Sequence, residues 1–191
     1  MKEKFVKKYM RLASVVATDS NPCLSRQVGV IVVDPHTNGV VGAGYNGPPE
    51  GTPHCNDIEF ISNFVWPQLT SKERNLLGSV DKKTACEYMA NQNKCPRNIL
   101  GYSCGRRSEL CSCQHAERNA LNKLPIPAKG LVMFCWCGVP CIQCTGSLIN
   151  AGISEIYCLE QTEDYQPEAR WLYAKSETKL HERDSQWVLL D

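Results

Sequence analysis

Two short motifs constrain what this chain can fold into: Cys113-Gln114-His115-Ala116-Glu117 and Gly138-Val139-Pro140-Cys141-Ile142-Gln143-Cys144. Each sits in a loop after which helical periodicity begins, so each opens a helix. Pro140 sets the backbone just ahead of the second helix, and Cys141 and Cys144, three apart, fall on one face of its first turn. Both sulfurs can grip one metal, and a fold that brings the two helix starts together adds the His115 imidazole.

The rest of the chain supplies a frame for such a site. Phe5, Tyr9, Leu12 and Val16 recur at helical spacing and predict an amphipathic helix running to about Asp19. Val28 to Val33 and Val40 to Tyr45 are β-branched runs separated by Asp34-Pro35 and Asn38-Gly39 turn signals, which predict an antiparallel hairpin. From about 47 to 112 the pattern weakens, and the segment reads as an insertion with little core of its own. Alternation then returns: a helix from His115 to Lys123, a strand from Leu131 to Cys135, a helix from Cys141 to Ala151 and a strand from Glu155 to Leu159. A last helix is expected after Pro167, with Trp187 to Leu190 as a candidate final strand. Strand and helix alternating in this way predict parallel βαβ units. The expected fold is a single α/β domain, a three-layer α/β/α sandwich around a mixed five-stranded sheet, antiparallel at first and then parallel, with the insertion after its second strand.

Twelve cysteines in 191 residues require either a disulfide framework or metal ligation. The start, Met1-Lys2-Glu3-Lys4-Phe5, lacks the apolar segment of a secretory signal, and no run of apolar residues is long enough to span a bilayer, so the expectation is a cytoplasmic protein whose cysteines bind metal. Two thiolates and one imidazole give Zn²⁺ three protein ligands and leave a fourth tetrahedral position for water, the arrangement of a catalytic rather than a scaffolding ion. Glu117 is two residues beyond His115, so the two side chains share a pocket only at the helix end. There its carboxylate can act as both base and acid. His-x-Glu followed by Pro-Cys-x-x-Cys is the pattern of the zinc nucleobase deaminases.

The chain resembles the deoxycytidylate (dCMP) deaminases, especially those of bacteriophages. The matching residues are Gln27-Val28-Gly29-Val30, Gly44-Tyr45-Asn46-Gly47-Pro48-Pro49, His115-Ala116-Glu117-Arg118-Asn119-Ala120 and Pro140-Cys141-Ile142-Gln143-Cys144. The resemblance implies a cytidine deaminase-like fold and hydrolysis of dCMP to dUMP and ammonia, supplying dUMP for thymidylate synthesis. It further implies a homohexamer in the cytoplasm, the host's if phage-encoded, activated by dCTP and inhibited by dTTP, with Mg²⁺ accompanying the triphosphate. By the same resemblance Asn46 contacts the sugar, Glu117 and the Ala116 backbone face the base, Tyr165 lies near the phosphate, and Tyr45, Asn46 and Gly47 border the effector pocket. Some phage members carry a structural zinc in the insertion, for which Cys23, Cys55, Cys104 and Cys111 are candidates here, with Cys95, Cys113 and His54 as substitutes. Cys135-Trp136-Cys137-Gly138-Val139 departs from the family's Thr-rich approach to Pro-Cys.

Other readings stay open at this level. Ser25 and Arg26 precede the first strand and suit a phosphate, yet an exposed loop arginine reads the same way. Asn46 alone is a good turn residue. Cys113 is either a competitor for the metal at His115 or a packed thiol. A tRNA or single-stranded DNA deaminase would share both zinc motifs, but Lys+Arg and Asp+Glu nearly cancel at 21 and 20, which argues against a nucleic-acid partner. The cluster Lys2, Lys4, Lys7, Lys8 and Arg11 reads as a solvated helix face. A nucleoside deaminase would ignore the 5′-phosphate, and a non-catalytic zinc module would leave Glu117 without a task.

Overall fold

The computed structural model describes residues 1–19, 22–78, 81–103, 106–162 and 164–189. They form two compact units, one of Met1–Asn21, Gln27–Asn46 and His115–Asp191, the other of Pro22–Arg26 and Gly47–Gln114.

The first unit is built on a five-stranded sheet in the order β2-β1-β3-β4-β5. Its strands are β1 (Gly29–Asp34), β2 (Gly39–Tyr45), β3 (Val132–Cys135), β4 (Glu155–Leu159) and β5 (Lys179–Arg183). β1 runs antiparallel to β2 and β3, while β3, β4 and β5 are parallel, so the mixed sheet predicted from the sequence is present. Alternation along β1 sends its side chains to two cores. Val30 and Val32 join Met133, Cys135, Ile156 and Cys158 on one face, and Ile31 and Val33 join Val132, Phe134 and Tyr157 on the other.

Helix α1 (Glu3–Asp19) covers the second of these faces. Its buried stripe is Val6, Tyr9, Met10, Ala13 and Ala17, while Leu12, expected inside, is exposed. Close approach explains the rotation: a Cβ at Gly29 would lie 2.2 Å from the Ala13 carbonyl and 2.4 Å from the Ala17 nitrogen, so small residues must face β1. Tyr9 meets Phe134 in a tilted pair at 5.1 Å and Phe134 stacks on Tyr157 at 5.0 Å, each pair worth about 0.5–1.5 kcal/mol beyond its buried area.

Helices α2 (Ala116–Asn122), α3 (Ile142–Asn150) and α4 (Pro167–Lys175) cover the opposite face, which completes three layers. The last strand is β5, not Trp187–Leu190. Residues Ser185–Leu189 form helix α5, whose Val188 is buried against α1, and Arg11 Nε donates to the Val188 carbonyl at 2.9 Å. Lys-Leu-His-Glu-Arg carries one aliphatic residue because β5 is an edge strand, where charge blocks further pairing.

The second unit has a core of its own, contrary to the expectation for the insertion. Ile61, Val65, Leu69, Cys86, Met89, Leu100 and Leu110 are buried together. The elements are short helical pieces, including a π-helical turn at Ile61–Val65, so apolar periodicity never runs long enough to register. Capping replaces length: Asp57 and Asp81 accept from first-turn N–H groups, and Thr70 with Glu73 forms a capping box.

Glu73 is also the polar centre of this unit. Burial raises its pKa, but hydrogen bonds from the Thr70 N–H and hydroxyl, the Tyr102 hydroxyl and the Arg107 guanidinium outweigh that and hold it at about 2. A folded-state pKa below the unfolded value of 4.5 gives stability that is complete above pH 4.5 and lost as pH falls toward 2. With solvent screening this amounts to roughly 1–3 kcal/mol. Glu73→Gln is therefore expected to destabilise the protein at pH 7 and to flatten acid unfolding over that window. An unchanged acid-unfolding midpoint in circular dichroism would refute the role given to Glu73.

Among the described residues no helix is long and apolar enough to cross a membrane.

Candidate metal centre and active site

One rim of the sheet gathers the functional side chains. β1 starts there, and β2, β3 and β4 end there, since Gly29 pairs with Tyr45, Val30 with Cys135 and Phe134 with Tyr157. The loop leaving β3 is pinned by Trp136 N–H to the Gly29 carbonyl and by Leu159 N–H to the Cys137 carbonyl, both at 2.8 Å. Thr145 Oγ1 donates to the Pro140 carbonyl at 3.1 Å and ties that loop to the first turn of α3.

His115 and Cys141 stand at the N-cap positions of α2 and α3, with extended backbones at φ −72, ψ 147 and φ −62, ψ 161. That placement lets both side chains project past the helix ends, and Cys144 follows in the first turn of α3. His115 Nδ1 lies 3.4 Å from Cys141 Sγ and 3.4 Å from Cys144 Sγ. A tetrahedral Zn²⁺ with ordinary Zn–S and Zn–N bonds sets its N and S ligands about 3.6 Å apart, so the three donors fit the ion. Among the described residues this metal-type group consists of those three, with His115 exposed and Cys144 buried, which leaves one side open.

Electrostatics favour a thiolate here. The Cys144 thiol, hydrogen-bonded to Cys141, lowers the Cys141 pKa to about 4 with help from His115, against a burial penalty. Cys144 is correspondingly raised, by that bond first, then by burial and the charge of Glu117. Glu117, in the first turn of α2, is buried. Its charge acts on Cys144, so it shares the neighbourhood of that thiol.

Asn46 has a task the sequence did not reveal. Its Oδ1 accepts from the Ala116 N–H at 2.8 Å and so supplies the cap that His115 does not give α2. Asn119 Nδ2 donates to the Tyr45 carbonyl at 2.8 Å, a second tie between the end of β2 and α2. The only sequence cue was an Asn directly after a strand, which a turn explains equally well.

The other expected residues are placed as follows. Tyr165 packs on the α2–α4 side of the sheet, its carbonyl accepts from Arg170 Nη1, and its ring and the Gln161 side chain lie against Gly138. Arg170 is held by a two-pronged pair with Glu182, 3.0 and 2.7 Å. The Tyr45 ring lies under Lys123 Nζ at 5.9 Å. Gly47 and the pair Ser25 and Arg26 belong to the second unit. There Gly47 bridges to Gln114, and the Ser25 hydroxyl donates to Asn98 Oδ1 at 3.2 Å.

The second unit also gathers thiols. Cys55, Cys95 and Cys111 form one group of metal-type donors, and His54, Cys55 and Cys113 form another. Cys113, which could have competed at His115, instead hydrogen-bonds Cys111, Cys23 and Cys55. Cys104, a candidate ligand from the sequence, lies outside the described residues.

The profile of the cytidine and deoxycytidylate deaminase zinc-binding region matches residues 3–160. The chain belongs to this family. Among curated proteins the chain is similar to the deoxycytidylate deaminases of Schizosaccharomyces pombe, 29% identical over 149 residues, and Saccharomyces cerevisiae, 28% identical over 149 residues. Each alignment covers 78% of this chain but only 34% and 35% of the yeast proteins, so the chain spans about a third of the length of these relatives. The fold is also that of the dCMP deaminase of cyanophage S-TIM5, whose crystal structure holds dCMP and dUMP, with a TM-score of 0.59, 19% identity and coverage of 96% of this chain and 99% of that one.

Proposed function

We propose that this deaminase hydrolyses the exocyclic amine of dCMP, giving dUMP and ammonia. The carrying observation is three ligand atoms, two at N-caps and one in a first turn, open on one side beside a buried Glu117. Zn²⁺ held by His115, Cys141 and Cys144 supplies Lewis-acid activation of water near neutral pH. The chain's own part is proton movement: a Glu117 carboxylate oxygen takes the first proton from the attacking water and passes it to the ring nitrogen of the base, then takes the second from the hydroxyl newly bonded to the ring carbon and gives it to the amine as the C–N bond breaks. Asn46 holds the α2 N-terminus, and with it Glu117, in register for these transfers.

The substrate is supported by the names of the yeast relatives and the cyanophage protein. Ser25 and Arg26 are assigned to the phosphate because an Arg fork suits that group, and Asn46 and the Ala116 backbone are assigned to the nucleoside part and Tyr165 to the phosphate on the sequence resemblance. Activation by dCTP, inhibition by dTTP with Mg²⁺, an effector site at Tyr45, Asn46 and Gly47, a homohexamer, dUMP supply for thymidylate synthesis in the cytoplasm, and a structural zinc in the insertion rest on the same support.

Purified protein incubated with dCMP, deoxycytidine, dCTP and a cytosine-containing oligonucleotide is expected to release ammonia chiefly from dCMP. Preferential turnover of the oligonucleotide would move the protein to the polynucleotide deaminases. Saturation curves unchanged by dCTP and dTTP would remove the regulatory part alone.

A further inference from the structure

The insertion offers more soft donors than one tetrahedral ion can use. Cys23, Cys55, Cys95, Cys111 and Cys113 are connected by hydrogen bonds: Cys111 with Cys113, Cys55 and Cys95, and Cys113 with Cys55 and Cys23. His54 Nδ1 adds a nitrogen 3.7 Å from Cys55 Sγ. Zinc takes four ligands of this kind.

The donors are also arranged around two centres. Cys55, Cys95 and Cys111 lie within 4.8 Å of one another, as do His54, Cys55 and Cys113, and Cys55 is common to both sets. Cys23 joins the second set through Cys113. We propose that the insertion binds a pair of zinc ions bridged by the Cys55 sulfur, one held with Cys95 and Cys111 and completed by a non-protein ligand such as water, the other with Cys113, His54 and Cys23. This deepens the structural-zinc reading of the insertion and rests on it.

Three physical points support the pair. Cys55 and Cys95 are fully buried, and Cys55 sits at the junction, where a bridging sulfur must be. Charge balance is compatible with two ions, because thiols that a single ion would leave protonated ionise when they ligate a second, and two dications with five thiolates leave the cluster nearly neutral. The His54 ring is anchored through Nε2, 2.7 Å from the Pro22 carbonyl, which leaves Nδ1, the nitrogen beside Cys55, as the one an ion would take. Asn56 Oδ1, 2.8 Å from Nδ1, is the competing neighbour that an ion would displace.

The test uses the full chain, purified reduced, with its zinc exchanged for ¹¹³Cd, and counts bound ions by native mass spectrometry alongside ¹¹³Cd NMR. The ion at His115, Cys141 and Cys144 is identified by its loss in Cys141→Ser. Two further ions are expected, whose resonances split each other through the shared sulfur, and Cys95→Ser should remove one while keeping the other. One insertion ion with an unsplit resonance would overturn the pair and leave the structural-zinc reading standing. No insertion ion would overturn both. The wild-type spectrum decides this even if Cys95→Ser does not fold.

Discussion

Glu117→Gln is expected to bind zinc as the unsubstituted protein does and to lose about 10²–10⁴-fold in kcat toward dCMP, the usual contribution of one positioned proton carrier. Glutamine fills the same volume in the first turn of α2 but cannot accept and return a proton, and none of the three metal donors is altered. Because the amide still reaches the base, KM should change far less than kcat. Metal analysis and steady-state kinetics on one preparation check this, and near-normal turnover with full zinc would remove Glu117 from the proton pathway.

The second large effect is expected at a residue with no side chain. A Cβ at Gly44 would lie 2.3 Å from the Ala116 carbonyl and 2.6 Å from the Ala120 nitrogen, both backbone atoms of α2 that no rotamer change can move aside. Gly44→Ala must push α2 away from β2, at about 3 kcal/mol and roughly 6–12 °C in Tm. Ala116 lies between His115 and Glu117, so the same displacement should weaken zinc binding and activity. A variant that melts within a degree or two of the parent and retains zinc would show that β2 and α2 are less closely apposed than described.

The candidate metal-binding cluster was legible because its pattern is local: His115, Cys141 and Cys144 each sit at a helix start that the chain marks for itself. Two of the three parallel strands, β3 and β4, were legible from strand–helix alternation. What escaped was set by distant partners. Leu12 fits an apolar stripe as well as Met10 does, and only the approach of Gly29 to Ala13 and Ala17 decides between them. Lys179–Arg183 looks like a loop because an edge strand is identified by its neighbour rather than by its composition. The Asn46 bond to Ala116 spans 70 residues, and the division of thiols between the two metal-type sites depends on the folding of the insertion.

The opposite rim of the sheet, where Asp34 turns to Gly39 and where β3, β4 and β5 begin, contributes none of the residues assigned to metal or nucleotide. Changes in the Pro35–Asn38 and Ser176–Glu177 connections are therefore remote from the assigned residues, provided that the Asn38 carbonyl keeps the hydrogen bond it accepts from the buried Tyr9 hydroxyl. The same connections are the natural places to splice in a reporter or an affinity tag, whereas a graft at the Asn46 end would disturb the cap on which α2 depends.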